Sequence, residues 1–258
     1  MRHFLRSSKK WTLFTRFRLI LGVGVGLWVV STAVADEKAE DKKDAGAEKA
    51  KPEIKKIGED EFEMGIIRFN RKTREIRFPA KLNLDTETIL EFAVVNTQIG
   101  KLHESLLATD VRPFDLQIVM KLLKYVPSAR SVWPEYDKDG NALPMKTDTL
   151  GGVTISLAWK DEKGEAQSGP VEDWILNVEE EKPMARDSWI YTGSEVVDGN
   201  YLPELEGSIM AVYRSGGAMF NAFLKSSDND EVWYPRAGHL PPLGTPVEVS
   251  ITPREVAK

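Results

Sequence analysis

The sequence predicts a β-rich α+β fold: a single domain built as an antiparallel sheet sandwich or a partly open barrel, with one main helix. Short segments of alternating apolar and polar residues, separated by polar turns, recur between residues 57 and 251. Only one segment carries apolar residues at a convincing helical spacing. No internal repeat or second linker divides this region, so we expect one globular domain over residues 58–258.

The first predicted element of this domain is a β-hairpin. Residues 62–69 and 75–80 flank a polar turn over residues 70–73. In the second arm, one face carries apolar side chains while Glu75 and Arg77 point away. The residues of that apolar face are Ile76, Phe78 and Ala80.

Further strands are predicted from apolar runs and from period-two alternation. The clearest alternation spans residues 153–159, and the last strand alternates well too. Residues 170–178 are compatible with either a helix or a strand. We expect the remaining strands over residues 89–96, 101–107, 153–159, 189–192, 208–214 and 247–251.

The main helix is predicted between Pro113 and Pro127. Proline suits the first turn of a helix, and the second proline limits its length. The apolar residues at helical spacing are Leu116, Val119, Met120 and Leu123. The candidate capping residues are Thr109, Asp110 and Asp115.

The first 35 residues have the three-part layout of a secretory signal peptide. A basic lead precedes an apolar run over residues 19–30, and the small residues that follow fit the cleavage rule. We expect cleavage between Ala35 and Asp36 after Sec-type export, which predicts a secreted or periplasmic protein. The alternative is an uncleaved anchor, which is also the one membrane contact that we expect.

The composition limits the partners of the exported chain. Residues 36–57 are rich in Ala, Glu, Asp and Lys and predict a disordered, charged tether, or alternatively a solvated helix that binds a partner.

The predicted signal peptide holds six of the 35 basic residues and none of the 40 acidic ones, so the net charge of the mature chain is −11. Such a charge argues against nucleic acid as a partner. The absence of cysteine excludes disulfides and thiolate metal sites.

The strongest cluster of polar residues follows Gly100. If residues 101–107 form a strand, Lys101, His103 and Ser105 project from one face and Glu104 from the other. Ligand binding is one interpretation, and a hydrogen-bonded network that fixes the strand end is another. A hydrolase with His103 as base and Ser105 or Ser194 as nucleophile is the alternative activity. We assign no residue as catalytic.

No cofactor or metal is predicted. The glycine pairs lack the partners of a phosphate cradle, and no second histidine stands where a zinc-peptidase helix needs it. His103 and His239 with a carboxylate are the one weighed alternative for a metal site. Trp133 and Trp233 lie in predicted loops. Their aromatic faces suit sugars, and the alternative is that they anchor these loops onto the core.

Several segments in order resemble the YdjY-type domain, a family of exported bacterial proteins without an established biochemical activity. They are residues 74–80, 100–106, 189–194 and 242–247, and they span about residues 62–253. The resemblance implies an exported location and a single fold, and no mechanism. Some relatives are associated with iron–sulfur or redox proteins, but this chain has no cysteine to hold a cluster.

Together these observations predict an exported binding or structural module. The expected partner is a small molecule, a glycan or an envelope protein, and an envelope protein that recruits a partner is a second alternative. The candidate ligand-binding residues are Lys101, His103, Glu104, Ser105, Trp189, Thr192 and Ser194.

Overall fold

The computed structural model describes residues 53–85, 88–129, 132, 137–141, 143 and 150–254. These residues form seventeen strands, two α-helices and two 3₁₀ turns, which confirms the β-rich α+β prediction. The helices are α1 (Pro113–Leu122) and α2 (Leu202–Glu206), and the 3₁₀ turns are Leu102–Glu104 and Val171–Trp174. The strands are β1 (Ile54–Lys56), β2 (Glu61–Met64), β3 (Ile67–Asn70), β4 (Ile76–Leu82), β5 (Phe92–Asn96), β6 (Ser105–Thr109), β7 (Val153–Lys160), β8 (Ala166–Pro170), β9 (Ile175–Asn177), β10 (Lys182–Pro183), β11 (Trp189–Tyr191), β12 (Val196–Val197), β13 (Asn200–Tyr201), β14 (Ser208–Ala211), β15 (Phe220–Ala222), β16 (Trp233–Pro235) and β17 (Pro246–Pro253).

Twelve of these strands belong to one branched sheet. Its main path runs β1-β2-β3-β4-β6-β5-β14-β15-β11, and a branch runs from β4 through β17 and β7 to β8. Most pairs are antiparallel, although β5 with β6 and β14 with β15 are parallel. An isolated bridge between Gly152 and Ile190 links β11 to the start of β7. The sheet is not closed into a barrel, and the arrangement is that of a sandwich.

The sheet branches at β4 because two strands share one of its edges. β3 pairs with residues 76–77 and β6 pairs with residues 81–82, which leaves Pro79 in the gap. The Thr109 hydroxyl donates a hydrogen bond of 2.6 Å to the Pro79 carbonyl, so the backbone of Pro79 faces this edge. The N–H and C=O groups of a strand residue point to the same edge. The N–H that proline lacks would therefore lie where no strand pairs with it.

The core lies on the inner face of the branch. Along β4, β7 and β17 every second side chain is buried, as their alternation predicts. These residues are Ile76, Phe78, Ala80, Val153, Ile155, Leu157, Val247, Val249 and Ile251. α1 adds Leu116, Val119 and Met120 to the same cluster. Burial of each of the larger side chains, alanine excepted, contributes on the order of 1.5–3 kcal/mol to the free energy of unfolding.

The predicted helix is present, and Pro113 occupies its first turn. Its N-cap residue is Arg112, which makes no side-chain capping bond, so the predicted N-cap was wrong. The helix ends at Leu122, before Pro127 is reached. In the described part of the chain, no helix combines the length and the apolar character needed to cross a bilayer.

Two predicted strands differ from those observed. Residues 62–69 form two strands, β2 and β3, because Gly65 has a positive φ of 60° and turns the chain. Residues 101–107 begin with a 3₁₀ turn, in which the N–H of Glu104 bonds to the carbonyl of Lys101, and only Ser105 starts the strand. The turn at residues 70–73 is confirmed, since Phe69 pairs with Ile76.

The remaining segments agree with their predictions apart from their ends. Residues 171–174 form a 3₁₀ turn that leads into β9, which settles the ambiguous segment. Ile54–Lys56 lie inside the predicted tether and pair with β2, so ordered structure begins before residue 58. The predicted signal peptide, its cleavage site at Ala35 and Asp36, and the tether up to residue 52 lie outside the described residues.

Candidate functional site

An open groove of about 980 Å³ lies on the outer face of the branched sheet, opposite the core. We call it the outer groove. One wall is the β2–β3 turn with Gly65 and Ile66, and the other is the end of the β7–β8 hairpin. Its floor is the outer face of β4, β17 and β7, where Pro79, Glu248 and Ala158 lie.

Strand register aligns the floor residues in one row. Glu248 on β17 lies between Pro79 on β4 and Ala158 on β7, and Ala158 lies beside Ser168 on β8. All four residues are exposed, whereas the two sequence neighbours of Glu248 in β17 are buried. No described residue forms an ion pair with Glu248. The floor therefore places this carboxylate between Pro79 and Ala158, with Lys160 two residues along β7 from Ala158.

The basic groups at the β3–β4 side of the groove are already paired. Arg68 lies 3.2 Å from Glu63 across the β2–β3 pair. Arg77 lies 3.1 Å from Glu61 and 3.8 Å from Glu75. These carboxylates offset the charges of the two arginines, which leaves Glu248 and Lys160 as lining charges without an ion pair in the described part of the chain.

The predicted polar cluster after Gly100 forms an ion-pair network instead of a cavity. The Lys101 Nζ lies 2.8 Å from Glu91 and 2.7 Å from Glu104, whose side chains are 21% and 17% exposed. Burial by itself lowers the pKa of Lys101, but the hydrogen bonds and charges of Glu104 and Glu91 outweigh it and raise this pKa. The ammonium therefore stays charged and holds two half-buried carboxylates together. His103 lies at the edge of the network, 81% exposed and 3.7 Å from Glu104.

Ser105 is fully buried and already engaged. Its hydroxyl donates a hydrogen bond of 2.6 Å to the carbonyl of Lys101 and so closes the 3₁₀ turn. The exposed His103 makes no hydrogen bond to Ser105. The contact between base and nucleophile that the hydrolase alternative needs is therefore not formed at this pair.

The second group of predicted ligand-binding residues supports the end of β11. Trp189 is fully buried in the core. The Thr192 hydroxyl lies 3.2 Å from the carbonyl of Met219 and accepts a bond of 3.1 Å from Asn221. The half-buried Ser194, at a φ of 57°, donates to the carbonyl of Gly216 at 2.7 Å. Each hydroxyl thus stabilises the packing of one loop against another.

The two predicted groups do not converge on one site. Register places one residue from each of five adjacent strands side by side, beginning with Ser105 on β6 and ending with Ile190 on β11. Four strand spacings separate those ends, which is about 19 Å. A hydrolase that combines His103 with Ser194 would need these groups in contact.

The described ranges contain no group of three or more His, Cys, Asp or Glu residues placed to hold a metal ion. His239, the other histidine of the weighed zinc alternative, is exposed in the loop after β16. Trp233, predicted either as a surface aromatic or as an anchor of a loop onto the core, is buried in β16, and its Nε1 donates to the carbonyl of Ser226. Trp133 lies outside the described residues.

The floor of the outer groove was missed by the sequence analysis. Its residues come from strands that are far apart in the chain, and only the pairing register brings Pro79, Ala158 and Glu248 together. The usable signal was the outward position of Ala158 and Glu248 in alternating strands, together with a proline inside a predicted strand.

Comparisons with known proteins give no relative of this chain. No family model matches it, and no match is found among the curated proteins or the solved structures. The resemblance to the YdjY-type domain stays a prediction.

Proposed function

We propose that this chain is an exported binding module of the cell envelope and that the outer groove holds its ligand. Export is supported by the basic lead, apolar run and small-residue exit of residues 1–35. Binding is supported by a concave surface that combines an apolar floor with few polar groups, the usual composition of ligand sites. The observation that carries the proposal is the exposed, unpaired Glu248 between Pro79 and Ala158.

In this proposal the Lys101 network has an architectural role. Its ammonium is paired with two carboxylates, and the hydroxyl of Ser105 is bonded to the backbone. Buried or half-buried polar groups that are already satisfied give a ligand little to bind. An exported location and a single fold are also what the YdjY-type resemblance implies.

Photo-crosslinking in cells that produce this protein tests whether the outer groove binds a ligand. A photoreactive amino acid replaces Ala158 in the groove floor, and a matched control replaces Lys72, which is exposed in the turn at the far end of β3. We expect an adduct of defined mass from position 158 and none from position 72. Equal yields at both positions would contradict a binding role for the groove.

Export is tested separately from binding. The protein is recovered from the envelope and cytosolic fractions, and its first residues are sequenced. We expect mature chains that begin at Asp36 in the exported fraction. Intact chains that begin at Met1 and remain in the cytosol would contradict the proposed location.

A further inference from the structure

Apolar side chains are exposed around the short helix α2, where α1 and the β12–β13 hairpin contact it. Phe114 in the first turn of α1 is 44% exposed, Val196 in β12 is 64% exposed, and Leu205 in α2 is 57% exposed. Tyr201, the N-cap residue of α2, is half-buried beside them. We call these four residues the α2 patch.

The side chains of the α2 patch form one continuous surface. The rings of Phe114 and Tyr201 lie 6.4 Å apart in an edge-to-face arrangement. Tyr201 is also the cross-strand partner of Val196, and the side chains of such partners lie on the same face. Leu205 follows Tyr201 by one helical turn, which is the spacing of neighbours on a helix surface. A contiguous exposed apolar surface of this kind is typical of an interaction site, unlike single exposed residues.

Hydrogen bonds hold the two aromatic residues of the α2 patch in place. The Tyr201 hydroxyl donates a bond of 3.1 Å to the carbonyl of Gly193. The N–H of Phe114 donates to the carboxylate of Glu204. A surface that is ordered before binding loses little conformational freedom when a partner covers it. The patch is therefore well suited to hold a partner.

The charged residues that border the α2 patch are acidic. Residues 194–207 contain four acidic residues and no basic ones. Glu195, Asp198 and Glu206 are exposed, and none of them forms an ion pair within the ranges that the structure describes. The fourth, Glu204, is already in an ion pair. Three negative charges are thus left at the border for a partner of opposite charge.

This charge pattern distinguishes between the possible occupants of the patch. A symmetric dimer would use the same surface on both copies and would bring their acidic borders together. An anionic lipid surface would be repelled by the same charges. A polypeptide segment that carries apolar side chains with Lys or Arg beside them complements both the patch and its border.

We propose that the α2 patch binds an amphipathic basic segment of a partner polypeptide. Its apolar side chains cover the patch, and its Lys or Arg side chains lie beside Glu195, Asp198 and Glu206. This surface shares no residue with the lining of the outer groove, so the inference goes beyond the proposed function. Central apolar contacts supply most of the affinity in such an interface, and the charges at its border select the partner.

The test uses the mature chain and labelled helical peptides in a fluorescence anisotropy titration. The Leu–Lys peptide carries Leu along one helix face and Lys along the other. A second peptide has Glu in place of Lys, and a third has the composition of the first in an order that leaves no apolar face. We expect the Leu–Lys peptide to bind about tenfold more tightly than either of the others.

Two neighbouring valines provide a matched pair of variants. Val196 lies on the face of the patch, whereas Val197, which is 44% exposed, is the next residue of the strand and points to the opposite face. We expect Val196→Gln to weaken binding of the Leu–Lys peptide about tenfold, and Val197→Gln by less than about twofold. The two proteins should have equal melting temperatures, and neither substitution changes the net charge.

A second pair of variants tests the acidic border. Glu195→Gln combined with Asp198→Asn removes two charges beside the patch, and Asn suits the positive φ of 50° at position 198. Glu180→Gln combined with Glu181→Gln removes two exposed charges in the turn between β9 and β10. At low salt we expect the first pair to weaken binding of the Leu–Lys peptide about two- to fivefold and the second pair to leave it unchanged.

Each outcome bears on a separate part of the inference. Absence of binding by the Leu–Lys peptide, or equal binding by the two valine variants, would overturn the α2 patch as a docking surface. Equal binding of the Lys and Glu peptides would overturn the basic character of the partner.

The other occupants are tested with the same variants. A dimer of the mature chain that Val196→Gln dissociates would make a second copy the occupant. Flotation with phosphatidylglycerol vesicles that Val196→Gln abolishes would make the occupant a lipid surface, and either result would overturn the partner assignment. The crosslink from position 158 reports on the outer groove alone, so this inference and the proposed function can fail separately.

Discussion

The carboxylate of Glu204 holds the guanidinium of Arg112, with one oxygen 2.9 Å from Nε and 2.6 Å from Nη2. Its other oxygen accepts the N–H of Phe114 at 3.1 Å, in the first turn of α1. The N-cap Arg112 has no side-chain capping bond of its own. A residue of α2, 92 positions downstream, therefore supplies the cap of α1.

Glu204→Ala should lower the free energy of unfolding by about 1–3 kcal/mol, since it removes a cap and leaves Arg112 without this partner. Urea denaturation measures the change. Glu195→Ala is the matched control, because Glu195 is exposed and its side chain has no such role. Equal stability of the two variants would show that α1 does not depend on α2 for its cap.

Two glycines of similar backbone conformation should tolerate alanine very differently. Gly65 and Gly207 have φ values of 60° and 69°. A Cβ on Gly65 meets nothing within 4 Å, while one on Gly207 would lie 2.5 Å from the backbone nitrogen of Gly100. Gly65→Ala should lower the free energy of unfolding by about 1 kcal/mol, because alanine is strained at a positive φ. Gly207→Ala should lower it by about 1–3 kcal/mol more, because the added Cβ overpacks against Gly100. Similar midpoints of urea unfolding would contradict this close approach.

The buried Glu172 should make stability depend on pH. Burial raises the pKa of Glu172, although Arg186 at 3.9 Å acts in the opposite direction. A raised folded-state pKa means that the carboxyl favours folding below its unfolded pKa, about 4.3, and that this contribution is lost as pH rises through the folded pKa. Its buried Oε2 has no hydrogen-bond partner, so the charged form is costly.

Glu172→Gln should therefore gain stability relative to the parent chain as pH rises from 4 to 8, because glutamine stays neutral. Urea unfolding of both proteins at several pH values measures the difference. A constant difference, or a growing loss for Glu172→Gln, would mean that the ion pair with Arg186 outweighs the cost of burial.

The Lys101 network predicts unequal effects for two neighbouring residues. Lys101→Met leaves Glu91 and Glu104 close together without their shared cation, so we expect it to lower the melting temperature measurably. His103→Ala changes a mostly exposed side chain and should alter stability by no more than about 0.5 kcal/mol. The reverse order of effects in thermal unfolding would contradict the architectural role of Lys101.

Local patterns predicted the strands and the helix but not the surfaces that they form. β7 and β17 were correctly predicted because one face of each is core, so alternation is visible in the chain. The segment after Gly100 was wrongly predicted as strand throughout, because its first turn is held by the bond from Ser105 to the Lys101 carbonyl. That bond leaves no periodic signal in the sequence.

The outer groove could not be predicted for a different reason. Glu248 and Ala158 each occupy an ordinary outward position, and their meaning depends on the register that joins β17 to β7. Register is set by pairing between distant segments and by the core that those segments share. The predicted polar residues, by contrast, were close in sequence, and Lys101, Ser105 and Ser194 prove to be engaged by other groups of the protein.

Hydrogen–deuterium exchange tests most directly whether the outer groove is the binding surface. Exchange of the backbone amides of the mature chain is measured with and without an envelope extract. The extract comes from the native host strain after deletion of the gene for this protein. We expect slower exchange in residues 158–168 and 245–248 and no change in residues 101–105. Protection confined to residues 101–105, with none in the groove strands, would contradict binding at the outer groove.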